Sequence, residues 1–124
     1  MRLHPAMPTS EHQLQVQLAR FLEVAAHPDV MWFAIPNGGK RHIRVAVRLK
    51  EEGTKRGVPD LCFVKMGGGT AWLEMKVKGG RLSPEQKLFR DEVLRLGHQW
   101  GMAKTFDEAI AFLRSVGALK STVK

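Results

Sequence analysis

The sequence predicts an α/β fold in which a central mixed four-stranded sheet is flanked by helices, and three observations carry that expectation. Segments with helical and strand periodicity follow one another in the order α-β-α-β-β-α-β-α. Three of the helical segments open on a Ser or Thr placed three residues ahead of a Gln or Glu, the pattern of a capping box. The 124 residues are 44% apolar and 26% charged, which is the balance of a chain that folds around a core. A chain of this length fits one domain, expected to span residues 1–124, and buries roughly two-thirds of its unfolded surface.

Each element has a local reason. Ser10-x-x-Gln13 caps a first helix from about Glu11 to Ala25, with Leu14, Leu18, Phe21, Leu22 and Ala25 as its apolar stripe. Val30–Ile35 reads as a short buried strand, closed by Pro36-Asn37-Gly38-Gly39. A basic helix follows, stopped by Gly53, and then a loop, Lys55-Arg56-Gly57-Val58. Pro59–Lys65 and Ala71–Lys76 flank Met66-Gly67-Gly68-Gly69-Thr70 and read as a hairpin. Ser83-x-x-Gln86, with Pro84 at the first helical position, opens a helix to about Leu96. His98–Ala103 is a weaker strand, interrupted by Gly101, and Thr105-x-x-Glu108 caps a last helix to about Val116.

Charge narrows the function. The net charge is +8, and five of those eight charges lie in residues 40–56. Within that segment Arg41, Arg44 and Arg48 recur at three and four residues, so a helix aligns them on one face, with Ile43, Ala46, Val47 and Lys50 on another. Such a stripe is either a solvated face or a row of phosphate contacts, to which Lys40 would add. The lone Cys62 excludes a disulfide framework and a Cys-rich zinc site and fits a reducing compartment. The five histidines show no metal-ligand spacing, and no apolar run approaches the ~18 residues of a membrane span. Met1–Gln13 lacks the apolar stretch of a signal peptide.

Two acidic residues stand where strands usually avoid them, Asp60 after Pro59 and Glu74 two residues before Lys76. If the five-residue loop pairs Lys65 with Ala71, Asp60 faces Lys76, Cys62 faces Glu74, and all four share one face of the hairpin. Asp60 and Glu74 are then diagonal neighbours about 7–8 Å apart. Two carboxylates at ~5 Å repel by roughly 3 kcal/mol at an effective dielectric of about 20. Lys76 can offset that in a cross-strand ion pair, or a hard divalent cation can do so while keeping a polyanion-binding cleft attractive.

Gly57-Val58-Pro59-Asp60-Leu61, a Gly-rich turn, and Trp72-Leu73-Glu74-Met75-Lys76 together resemble the PD-(D/E)XK nuclease superfamily, and most closely its VRR-NUC (virus-type replication-repair nuclease) family. Ser10-Glu11-His12-Gln13, Ile35-Pro36-Asn37-Gly38-Gly39 and Arg81-Leu82-Ser83-Pro84-Glu85-Gln86 extend the likeness over residues 10–115. The resemblance implies a restriction-endonuclease-like αβββαβ core and an endonuclease, dependent on Mg²⁺ or Mn²⁺, that hydrolyses DNA phosphodiester bonds. Asp60, Glu74 and the Met75 carbonyl would hold the metal, Glu11 would add to that site, and Gln86 would support it. Lys76 would orient the attacking water or stabilise the developing charge. Lys78 would touch the DNA backbone, as would the Arg41, Arg44 and Arg48 stripe. A small chain without recognition modules implies reading of branched DNA, and the likeness to junction resolvases implies a homodimer in a bacterial or phage-infected cytoplasm. The rival expectation is a catalytically silent nucleic-acid-binding module with the same fold.

Overall fold

The computed structural model describes residues 10–36 and 43–122. Its elements are α1 (Glu11–Ala25), β1 (Val30–Ala34), α2 (Ile43–Glu51), β2 (Leu61–Lys65), β3 (Thr70–Met75), α3 (Pro84–Arg95), β4 (Gln99–Ala103) and α4 (Phe106–Ser115), in the expected order. The strands form one mixed sheet in the spatial order β1-β2-β3-β4, antiparallel except for the parallel β3–β4 pair. That is an α/β architecture consistent with a restriction-endonuclease-like core.

The caps behave as their spacing requires. Ser10, Ser83 and Thr105 each accept a hydrogen bond from the backbone N–H three residues on, and at Ser83 the box is reciprocal, with Gln86 Oε1 accepting from Ser83 N–H at 2.8 Å. Leu14, Leu18 and Leu22 of α1 meet Leu61, Phe63, Leu73 and Met75 on one sheet face, where Leu113 of α4 joins them. On the opposite face α3 packs through Phe89, edge-on to Trp72 at 5.2 Å, and Arg90, which lies over the Trp100 ring. All three tryptophans thus pack within the fold, since Trp32 sits against the main core.

The hairpin register differs from the expected one. Leu61 pairs with Leu73, Cys62 with Trp72, Phe63 with Ala71 and Val64 with Thr70, a shift of two residues. The turn is tighter because Gly67 and Gly68 both take positive φ, which lets Lys65 N–H reach Gly69 O and draws Thr70 into β3. An even shift keeps every side chain on its own face. Its consequence is positional: continuing the register by one residue sets Asp60 across from Glu74, not from Lys76.

Strand β4 forms despite Gly101, and the glycine has a packing reason. A Cβ there would overlap the ring of Phe112 on α4, so the missing side chain is what lets α4 lie close to the sheet. Beyond α4, Ala118 and Leu119 are buried and clip onto the end of α1 through an Ala26–Leu119 bridge, which no periodic pattern announced. Gly101→Ala should therefore destabilise the fold by about 1–3 kcal/mol, the usual range for overpacking, in urea unfolding. The same substitution in a Phe112→Ala background should cost almost nothing, because the atoms it strikes are gone.

Candidate active site

The site is built where β2 begins and β3 ends. Buried Pro59 sets the approach to β2, and Ile35 N–H bonds to Asp60 O at 2.8 Å, tying that point to the end of β1. The Asp60 carboxylate accepts a hydrogen bond from Met75 N–H at 2.7 Å, which binds the start of β2 to the end of β3 through a side chain. Across from it, Glu74 is 3% exposed and is the one buried charged residue among the described residues. Its carboxyl shares a hydrogen bond with Asp60, while its Oε1 atom has no partner. Burial first, then the hydrogen bond to Asp60 and the Asp60 charge, push the Glu74 pKa up from 4.5 to about 9, against the pull of Lys76. Glu11 adds a smaller push in the same direction.

Glu11, Asp60, Glu74 and Gln86 line one cavity of about 870 Å³. Four positions separated in the chain thus border one space, with Glu11 exposed on the cavity wall at the start of α1. Gln86 occupies both roles open to it, capping α3 through its carbonyl oxygen while facing the cavity. Lys76 is half-buried on the Glu74 side of β3, close enough for its charge to act on that carboxyl. In a strand, a residue's N–H and C=O lie along the same edge, so the Met75 carbonyl is on the Asp60 side with its N–H. Cys62 is buried and burial pushes its thiol up to about 11, leaving it an inert packing group.

The basic segment is arranged differently from expectation. The helix is nine residues long, Ile43–Glu51, and no residue of it is buried. Arg44 and Arg48 share a groove with Ile43, Val47 and Glu51, whereas the cavity side of α2 is formed by Ala46, Leu49 and Lys50. Arg44 and Arg48 therefore do not line the carboxyl cavity, and Ile43 and Val47 lie with them instead of sharing a face with Ala46 and Lys50. Helical spacing groups residues by face correctly only when the centre of each face is known, and here no core contact marks it. Lys40 and Arg41, with Asn37-Gly38-Gly39, lie outside the described residues. Lys78 is exposed and does not line the cavity. Among the described residues, the cations that do are Lys50, Lys55 and Arg56. Only the breaker pattern around Gly53 and Gly57 hinted that Lys55 and Arg56 would leave the helix and turn toward the site.

A family model described as the VRR-NUC domain matches residues 9–106. The chain belongs to the VRR-NUC family. Two solved structures are similar to it: a "VRR_NUC domain protein", 19% identical with a TM-score of 0.71 over 87% of this chain and 88% of that one, and a "VRR_NUC domain", 15% identical with a TM-score of 0.57 over 86% and 97%. A comparison with curated proteins finds no match. VRR-NUC is a nuclease domain of the PD-(D/E)XK type, so the protein is classed with hydrolases that cut nucleic acid.

Nucleases of this type use divalent metals. Among the described residues of this VRR-NUC chain, no three His, Cys, Asp or Glu side chains converge into a ready-made metal cage. Glu11 therefore shares the cavity without completing a three-carboxylate cluster. What is present is a pair of carboxyls, one of them with an unpartnered buried oxygen, beside a backbone carbonyl. That donor set fits a hard cation of the Mg²⁺ kind, which takes one or two carboxylates and keeps most of its waters.

The raised pKa of Glu74 has a signed consequence. Between about 4.5 and 9 the folded carboxyl holds a proton that the unfolded one has lost, so metal-free stability falls as pH rises through that window. Melting temperatures in chelator should decline from pH 5 to pH 9, and Glu74→Gln should flatten the decline and melt several degrees higher at pH 8.5. Equal melting of the two proteins at both ends of the range would show that Glu74 is not held neutral.

Proposed function

We propose that this VRR-NUC protein is a divalent-metal-dependent DNA endonuclease, taking Mg²⁺ or Mn²⁺ and acting on branched DNA such as junctions or flaps. The observation that carries the reading is the Asp60–Glu74 pair: two carboxyls pressed together, one deeply buried with an orphan oxygen, at the floor of an open cavity. A buried polar atom without a partner destabilises a fold, and its persistence at a cavity floor is what a ligand site requires.

Asp60, Glu74 and the Met75 carbonyl would hold the ion. When bound, a divalent cation acidifies water and offsets the negative charge that builds on the phosphate. To serve as a ligand Glu74 would have to give up its proton, so binding of the ion would release a proton and be favoured at higher pH. Lys76 has three N–H donors and no acceptor, which suits it to hold the attacking water by its oxygen and to stabilise charge on the phosphate. Glu11 accepts from water at the cavity wall, and Gln86, whose carbonyl oxygen is held by Ser83 N–H, offers its NH₂ group as a donor. Arg44 and Arg48 contact duplex backbone from the outer side of α2, and Lys78 is a further candidate phosphate contact, as the sequence makes Lys40 and Arg41.

Cleavage of a four-way junction at opposed positions needs two sites, so the functional unit is a homodimer. The single buried Cys62 suits the reducing cytoplasm of a bacterial host. No described helix is long and apolar enough to cross a membrane.

Supercoiled plasmid and a synthetic four-way junction, incubated with Mn²⁺, Mg²⁺ or chelator, test the activity. Cleavage should require metal and fall at least 10³-fold in Asp60→Ala and Glu74→Ala, with DNA binding in chelator retained. Lys76→Met should lose a similar factor in kcat with little change in KM. Binding without cleavage in either metal, unchanged by Asp60→Ala, would instead identify a silent binding module.

A further inference from the structure

Three cations share the cavity of the two carboxyls without pairing with any described residue. Lys50, on the inner side of α2, and Lys55 and Arg56, in the loop after it, line the same cavity as Asp60 and Glu74. All three are exposed, and none forms an ion pair with a described residue. Opposite charges that share a cavity and do not close on each other leave a gap with one cationic and one acidic wall. The molecule that suits it brings negative charge to the cationic wall and tolerates a cation at the acidic one, as a phosphodiester strand does.

The cationic wall also has an anchor. Gly57 takes a φ of +83°, and a Cβ at that position would overlap the backbone of Glu85 and Gln86. The loop therefore lies directly on the first turn of α3, beside Gln86, and Arg56 is held at the cavity edge by the residue that follows it. Helix α2, by contrast, buries none of its residues, so Lys50 is carried on the loosely held part of the wall.

We infer that Lys50, Lys55 and Arg56 hold the phosphates flanking the one that is cut, gripping a single strand inside the cavity, while Arg44 and Arg48 take no part in that grip. The inference rests on the nuclease reading for the word "cut", but the grip itself is a binding property and is measured without cleavage. The three residues are positioning residues: they fix where the strand lies, and the chemistry belongs to the carboxyl side. A single strand with exposed phosphates is the substrate feature such a cavity selects, since Arg44 and Arg48 lie outside it, where a second strand or a flanking duplex would pass.

The test is binding of a short fluorescent oligothymidylate and of a blunt duplex in chelator over a series of salt concentrations. The proteins are wild type, Lys50→Ala, Lys55→Ala, Arg56→Ala, their triple combination and the Arg44→Ala/Arg48→Ala pair, each shown to be folded by its melting curve. Each single inner variant should weaken oligothymidylate binding several-fold. The triple variant should lower the salt slope by about two, from a slope of roughly 0.7 per phosphate contact on a single strand. The outer pair should weaken duplex binding and leave the oligothymidylate affinity within twofold of wild type. With Mn²⁺ and a cleavable strand, the inner variants should raise KM far more than they lower kcat. The inference is overturned if wild type does not bind the oligothymidylate, if the triple variant matches wild type in affinity and slope, or if the outer pair weakens the oligothymidylate as much as the inner three. Loss of cleavage in wild type with the inner grip intact would remove the nuclease reading and leave the grip standing.

Discussion

Two carboxyls held against each other at the head of the β2–β3 hairpin constrain the structure around them. At a separation of ~5 Å such a pair, both ionised, would repel by roughly 3 kcal/mol even at an effective dielectric of about 20. The fold resists that repulsion on both sides. Leu61 and Leu73, the residues next inward, pair across the strands and are fully buried, so separating the carboxyls would pull apart the core. Met75 N–H fixes Asp60, which in turn shares a hydrogen bond with Glu74. Burial first, and then the hydrogen bond and charge of Asp60, hold the Glu74 carboxyl far above its ordinary range, so in the absence of a cation it keeps a proton. The group that holds this proton is also the one that the proposed cation would neutralise in its place.

How much of this was legible in the sequence follows from how local each feature is. Ser10, Ser83 and Thr105 announce their helices because a cap is made by residues three apart, with no tertiary contribution. The strand position of Glu74 was legible and Asp60 falls one residue before β2 instead of inside it, yet their shared face was legible because strand periodicity is also local. Their separation was not. The register depends on how Gly67 and Gly68 turn, and glycine is the residue whose conformation its neighbours dictate least. The outcome was protected by parity: a two-residue shift exchanged a diagonal contact for a direct one, where a shift of one would have put Asp60 and Glu74 on opposite faces.

Helix α2 shows the opposite case. Its sequence alternates apolar and basic residues at helical spacing, and that pattern ordinarily reports a face packed on the core. Here the inward side, Ala46, Leu49 and Lys50, borders a cavity and buries nothing, while Ile43 and Val47 stay exposed beside Arg44 and Arg48. Periodicity says which residues travel together around a helix and is silent on what each side meets. Gly57 and Gly101 illustrate the same limit from the other direction. Each is needed for a close approach to a partner far away in sequence, the first turn of α3 in one case and the Phe112 ring in the other, and neither partner can be named from local pattern.

The excess of positive charge likewise divides by position. Of the basic residues in the segment that carries most of it, Arg44 and Arg48 lie in an outer groove, and Lys50, Lys55 and Arg56 face the carboxyls. A net charge draws a polyanion toward the whole surface and decides only the rate of encounter. Among the described cations the inner three alone share that cavity, so in the proposed reading they decide which bond of the polyanion comes to the carboxyls. Their lack of ion pairs is consistent with that role: a lysine closed onto Asp60 would neutralise the acidic wall and fill the space a phosphate needs. The carboxyls and the cations are useful to each other only while the gap between them stays open, and the backbone contact of Gly57 on α3 is what keeps one side of that gap in place.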